Sequence, residues 1–221
     1  MDRRLRVLWQ IVWLVFIVSC KSVKKPYNYK RFPDSYAEVK QEYDNYYHLT
    51  GCQSGATIAS IGAGNGITEI QISCFNEGIR WYLQEIDSTR LYQFEEVLKY
   101  HESVVGSPIN ANFNLVLGTE DTTHLPNGVF DRVLMLNVFH EIESRRGIMT
   151  EIHQLLNENG VLVIMERMGN IEGEIHGDCK YPKLVEDSFL QEMREYGYAL
   201  DKQQLGEEMS NLMFYSFVSE K

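Results

Sequence analysis

Three glycines at alternate positions, Gly62, Gly64 and Gly66, follow the apolar run Thr57–Ile61 and precede Ile67, Ile70 and Cys74, which recur at helical spacing. A short apolar run reads as a buried strand, and residues three and four apart read as one helix face. Glycine at the junction allows conformations and close approaches that a Cβ forbids. The segment therefore predicts a strand, a tight turn and a helix, with exposed backbone at the turn.

The same alternation continues along the chain. A helical pattern runs from about Ser35 to His48. Ile79–Gln84, Asn112–Leu117, Phe130–Leu136 and Val161–Met165 predict further strands. Ser88 is placed to cap a helix carrying Leu91, Phe94 and Leu98, and Ile148, Met149, Ile152, Leu155 and Leu156 trace another helix face. Asn159-Gly160 reads as the end of that helical region. His153 lies opposite its apolar stripe and is expected to be solvated. Residues 168–182 are glycine-rich and irregular. A last helix carries Phe189, Leu190, Met193 and Tyr196, with Gly197 just past its end. The strands near Tyr198–Asp201 and Met213–Val218 are joined too closely for a crossover helix, so they should pair antiparallel. The expected fold is α/β: a Rossmann-like, doubly wound, mostly parallel seven-stranded sheet, closed by an antiparallel pair and covered by helices on both faces.

The chain has 221 residues, enough for one domain with a sizeable core. Its net charge of −10 argues against a nucleic-acid partner. Cys20, Cys52, Cys74 and Cys179 form no C-x-x-C pair, so no zinc site or disulfide framework is expected and no metal is assigned. The N-terminus differs from the rest. Arg3, Arg4 and Arg6 precede an apolar run, Val7–Val18, shorter than the roughly 20 residues that span a bilayer. A basic start, an apolar stretch and a small residue suggest a secretory signal. Ile17-Val18-Ser19-Cys20 resembles the lipobox of bacterial lipoproteins. That resemblance implies a signal peptide over 1–19, a lipidated Cys20 at a membrane surface, a linker over 20–33 and a folded domain over 34–221. If the segment is not a signal, a cytoplasmic location is expected.

The spacing of the glycine loop separates its possible ligands. A dinucleotide fingerprint needs G-x-G-x-x-G, and its third glycine falls on Ile67. A P-loop would need Gly-Lys-Ser/Thr, which is missing here. Gly62-Ala63-Gly64-Asn65-Gly66 resembles the G-x-G-x-G loop of class I methyltransferases, and the likeness extends over about residues 35–219. It implies S-adenosyl-L-methionine as cofactor, bound along Gly62, Ala63, Gly64 and Gly66. A carboxylate at the end of the second strand can accept from both ribose hydroxyls. Glu85 is preferred there, with Asp87, just before a helix, as the rival. The resemblance also implies an adenine partner in Gly118-Thr119-Glu120-Asp121, with Asp121 preferred over Glu120. It further places Asn137 and the following His140-Glu141 at the ligand-binding edge.

The reaction implied is methyl transfer to an acceptor, a small molecule in this reading. His140, Glu141 and His176, the last in the irregular insert, are candidate bases, although each histidine equally suits an ordinary packed role. The insert, with Tyr36, Tyr43, Tyr46 and Tyr47, is expected to cover the site. The alternative is a catalytically silent, membrane-tethered scaffold of the same fold.

Overall fold

A computed structural model describes residues 32–177, 179–206 and 211–220. The expected signal segment, Cys20 and nearly all of the linker lie outside the described residues. No helix among the described residues is long and apolar enough to cross a membrane. The elements all belong to one compact unit that begins at Pro33.

In chain order they are α1 (Tyr36–Thr50), β1 (Thr57–Ile61), α2 (Ile67–Ser73), β2 (Arg80–Glu85), α3 (Ser88–Leu91), α4 (Phe94–Val105), β3 (Asn112–Leu117), β4 (Phe130–Leu136), a 3₁₀ turn (Phe139–Glu141), α5 (Arg145–Leu155), β5 (Leu156–Arg167), α6 (Glu186–Glu195), β6 (Tyr198–Leu205) and β7 (Leu212–Ser219). The seven strands form one sheet in the order β3-β2-β1-β4-β5-β7-β6. Pairing is parallel from β3 through β5. β7 runs antiparallel to both β5 and β6. Six strands thus point one way and β7 opposes them, as the expected Rossmann-like fold requires.

The direction of winding reverses between β1 and β4. In open α/β sheets that switch point opens a crevice at the C-terminal strand ends, where ligands bind. The turns after β1, β2 and β4 all lie along this edge.

Strand alternation sorts the helices onto two faces. Ala59, Ile61, Val133, Met135, Leu162 and Ile164 share one core with Ile148, Met149 and Ile152 of α5 and Phe189 and Met193 of α6. Ser60, between Ala59 and Ile61, meets Glu69 of α2 on the opposite face. Trp81 also faces α2, its Nε1 donating to Ser73 Oγ at 2.7 Å. On the first face Ile148 is 4% exposed and Ile152 wholly buried. Burying such a side chain contributes about 1.5–3 kcal/mol.

Three expectations change. The single helix expected from Ser88 is two, α3 and α4, and Asp87 rather than Ser88 caps it. Its Oδ1 accepts from Thr89 N at 3.1 Å. Asn159-Gly160 is not a terminator: β5 begins at Leu156, and the pair lies within the strand where the register slips between Phe130 and Arg132 of β4. A Cβ on Gly160 would sit 2.8 Å from Phe130 O, so this glycine serves a close strand approach. His153 is not solvated. Its ring stacks on Tyr198 at 4.0 Å, its Nε2 lies 2.8 Å from Tyr196 O and its Nδ1 2.6 Å from Ser219 Oγ. β6 and β7 fold back across the end of α5 and enclose it.

Candidate active site

The loop after β1 is built from left-handed backbone. Gly62, Gly64 and Gly66 have φ of 68°, 61° and 76°, a region that favours glycine. Their roles differ. A Cβ on Gly62 would lie 2.4 Å from Val138 Cγ2, and one on Gly66 would lie 2.8 Å from Phe94 and 2.9 Å from Leu83. These two glycines let neighbouring elements close in. Gly66 thus provides the tight approach that the sequence pattern assigned to a third glycine at position 67. Around Gly64 the nearest atom is Arg90 Nη1 at 3.5 Å, so no neighbouring element crowds its Cα, although Gly64 itself is buried in the loop.

The end of β2 holds this loop in place. Gln84 Oε1 accepts from Gly62 N at 3.2 Å, and Gln84 O from Ala63 N at 2.9 Å. Glu85 is 6% exposed. Its Oε2 accepts from Gly64 N at 3.0 Å, and its Oε1 from Ile86 N at 2.8 Å and Asp87 N at 3.0 Å. A carboxylate offers about four acceptor positions, so Oε2 keeps one for a further donor. Asp87 is occupied differently: its Oδ1 takes both the amide and the hydroxyl of Thr89. Within the loop Asn65 is 5% exposed, and its Nδ2 has no hydrogen-bond partner. A buried donor left unpaired costs about 1–3 kcal/mol, which an acceptor entering the loop would recover.

Below the loop lies a carboxyl that the sequence did not single out. Glu69 accepts from Ser60 Oγ through Oε1, its Oε2 has no partner, and it is 2% exposed. Burial pushes its pKa up to about 7.

The segment after β3 folds as a turn tied by Thr119. Its Oγ1 accepts from Asp121 N at 3.3 Å and Thr122 N at 3.1 Å. Asp121 Oδ1 accepts from Ser144 Oγ at 2.7 Å, which joins this turn to the start of α5. Glu120 is exposed. After β4, Asn137 adopts φ 58°, a conformation that Asn tolerates better than most residues, and its N donates to Met165 O at 2.7 Å. Val138, packed on Gly62, sets the following 3₁₀ turn beside the glycine loop.

That turn carries His140, 3% exposed. Glu166, at the end of β5 and fully buried, accepts from His140 N at 3.2 Å and lies 2.7 Å from His140 Nδ1. In the tautomer that donates Nδ1–H to Glu166, Nε2 presents a lone pair. Cys179 Sγ is 3.3 Å from this Nε2, and exposed Glu141 reaches it only at 3.8 Å. The His176 ring stacks on His140 with centroids 4.0 Å apart. Burial, then the nearby His140, holds the His176 pKa below the usual imidazole value.

The predicted residues therefore gather at one edge: the loop with Glu85 and Asp87, then Asn137, then His140 with His176. Of the α1 tyrosines, Tyr43 and Tyr47 stack on each other at 5.0 Å. Tyr36 and Tyr43 pack on Phe75, and Tyr46 meets Phe214. Glu166, Gln84, Asn65 and Cys179 escaped the sequence reading. A charged residue closing the apolar run Val161–Met165 signals Glu166, and the spacing His176-x-x-Cys179 signals the thiol.

Residues 59–164 match a protein-family model described as a methyltransferase domain. Comparison with curated proteins gives no match. Among solved structures, the chain is similar to a SAM-dependent methyltransferase from Aquifex aeolicus, with a TM-score of 0.61 and 15% identity over 85% of this chain and 98% of that one. It is similar to the glycopeptide N-methyltransferase MtfA, solved with S-adenosyl-L-methionine, with a TM-score of 0.62 and 18% identity over 88% of this chain and 100% of that one. The mitomycin 7-O-methyltransferase MmcR gives a TM-score of 0.63 and 14% identity over 83% of this chain, which spans 54% of that protein. The fold is the Rossmann-like fold of class I methyltransferases.

Proposed function

We propose that the protein is an S-adenosyl-L-methionine-dependent methyltransferase acting on a small molecule whose accepting atom must lose a proton. The observation that carries this reading is the hydrogen-bonded unit of the glycine loop and Glu85, set beside the His140–Glu166 pair by the contact of Gly62 with Val138. The residues fit the cofactor: Oε2 of Glu85 has an acceptor position for a ribose hydroxyl, and Asn65 Nδ2 is an unused donor. Asp121 is assigned to the adenine amino group, with Glu120 beside it. When bound, the cofactor supplies an electrophilic methyl on a sulfonium.

The chain's own residues do the rest. The loop and Glu85 orient the cofactor, and Asn137 at the switch point shapes the floor between it and the acceptor. His140 takes the acceptor's proton on Nε2 while Glu166 fixes the tautomer and stabilises the imidazolium that forms. A base in this position contributes typically 10²–10⁴-fold in rate. The similar structures include the mitomycin 7-O-methyltransferase MmcR and the glycopeptide N-methyltransferase MtfA, named for methylating oxygen and nitrogen, which supports an acceptor atom of that kind. Attachment to a membrane surface through Cys20 belongs to the same proposal and rests on the lipobox-like sequence.

The test is calorimetric titration with S-adenosylhomocysteine, alongside methyl transfer to a panel of phenols and amines. Gly64→Val should abolish binding in a folded protein. His140→Ala should bind normally but turn over at least about 10²-fold more slowly. Undiminished affinity in Gly64→Val would remove the reading.

A further inference from the structure

His140, His176 and Cys179 bring one ligand atom each to within 4.8 Å of one another, on a buried patch between the turn after β4 and the insert after β5. Tetrahedral zinc, with bonds of about 2.0–2.3 Å, holds its ligand atoms about 3.4–3.8 Å apart. Cys179 Sγ and His140 Nε2 already stand at 3.3 Å. We propose that these three residues form a binding site for a divalent transition cation of zinc-like softness.

Three further features support the assignment. First, His176 is 7% exposed, and its Nε2 is buried with no hydrogen-bond partner. A metal would pair a nitrogen otherwise left unsatisfied, at a cost of about 1–3 kcal/mol. Second, the contact between Glu166 and Nδ1 of His140 is the carboxylate–histidine arrangement that fixes the ring of a metal-bound imidazole and raises its basicity. Third, the donor set of two imidazoles and one thiol suits zinc, and three protein ligands leave a fourth position open. A Cys179–His140–Glu166 nucleophile would use the same thiol but would leave His176 unexplained.

Binding requires one rearrangement. The two imidazole planes are inclined by 19° and overlap, so a single ion cannot lie in both planes. The His176 ring must turn out of the stack about its own side-chain torsions, its backbone being held by the bond from His176 N to Tyr181 O at 2.9 Å. As the ion enters, Cys179 Sγ–H loses its proton to solvent and the sulfur binds as thiolate, while both imidazoles bind neutral.

The ion would take the same Nε2 lone pair that the proposed base uses, so metal binding and proton removal by His140 exclude each other. The metal site stands without the methyltransferase reading. Its inhibitory effect rests on that reading.

The experiment is a titration of metal-free full-length protein with Co²⁺, read by absorption and followed by displacement with Zn²⁺. The expected result is one equivalent bound, with a thiolate-to-cobalt band and the intense visible bands of four-coordinate cobalt. Cys179→Ser should lose the thiolate band, whereas Cys74→Ser should keep it. His176→Gln should weaken affinity at least about tenfold, and Glu166→Gln about 10–100-fold. Circular dichroism confirms that each variant is folded. A missing band at equimolar cobalt, or the wild-type band in Cys179→Ser, would overturn the site. S-adenosylhomocysteine binding is measured on the same samples with and without chelator. A cobalt band without such binding keeps the metal site and rejects the methyltransferase reading.

Discussion

Glu69 gives the sharpest test of the energetics. Its carboxyl sits under the glycine loop, with one oxygen on Ser60 and the other unpaired. An ordinary value of 4.5 rises to about 7 on burial. Ionising the group inside the protein therefore costs about 3 kcal/mol more than in the unfolded chain. Because the folded value is the higher one, the associated stability is fully present below about pH 4.5. It is lost as pH rises through about 7 and then levels off. Glu69→Gln keeps an acceptor for Ser60 and cannot ionise. Its amide nitrogen lands where Oε2 was unpaired, a penalty of about 1–3 kcal/mol that does not change with pH. The observable is thus the variant-minus-wild-type difference across pH, not its value at one pH. Urea unfolding from about pH 5 to pH 8 should show that difference swing by up to about 3 kcal/mol in favour of the glutamine, or roughly 6–12 °C in Tm. Parallel pH profiles for the two proteins would show that burial does not raise the carboxyl's pKa above its unfolded value and would refute the argument.

Glu85→Gln should weaken S-adenosylhomocysteine binding about 10–100-fold, the worth of a charge-assisted hydrogen bond, while Asp87→Asn changes it less than about threefold. The opposite order, measured by calorimetry, would move the ribose contact to Asp87. Metabolic labelling with palmitate should mark the wild type and spare Cys20→Ala. An unlabelled wild type would remove the lipid tether.

How much could be read from the sequence depended on whether a residue's partner was local. Thr57–Ile61 and Phe130–Leu136 match β1 and β4 because short apolar runs bounded by polar turns fit a buried parallel strand, while Asn112–Leu117 matches β3 as a largely exposed edge strand. The glycine loop and Glu85 were legible for the same reason, since both flank such strands. Tyr92 and Gln93, where α3 gives way to α4, carry no breaker signal, so the interruption was invisible. Asn159-Gly160 has the composition of a turn, and only the neighbouring β4 turns it into a bulge. His153 looked solvated because its partners, Tyr196, Tyr198 and Ser219, come from elements more than forty residues further on. The grouping of His140 with Glu166 and Cys179 spans 26 and 39 residues, so no local pattern could show it.

The place of β7 bears on how the protein is made. Among the described residues β6 pairs only with β7, and β7 is synthesised after it. When β6 leaves the ribosome it therefore has no neighbour, and β5 still has one open edge. That edge runs along Leu162–Arg167, which includes the apolar stretch Leu162–Met165. The sheet can close only once the segment through Ser219 has emerged. Until then a nascent chain presents an unpaired hydrophobic strand of the kind that recruits chaperones or pairs with another chain.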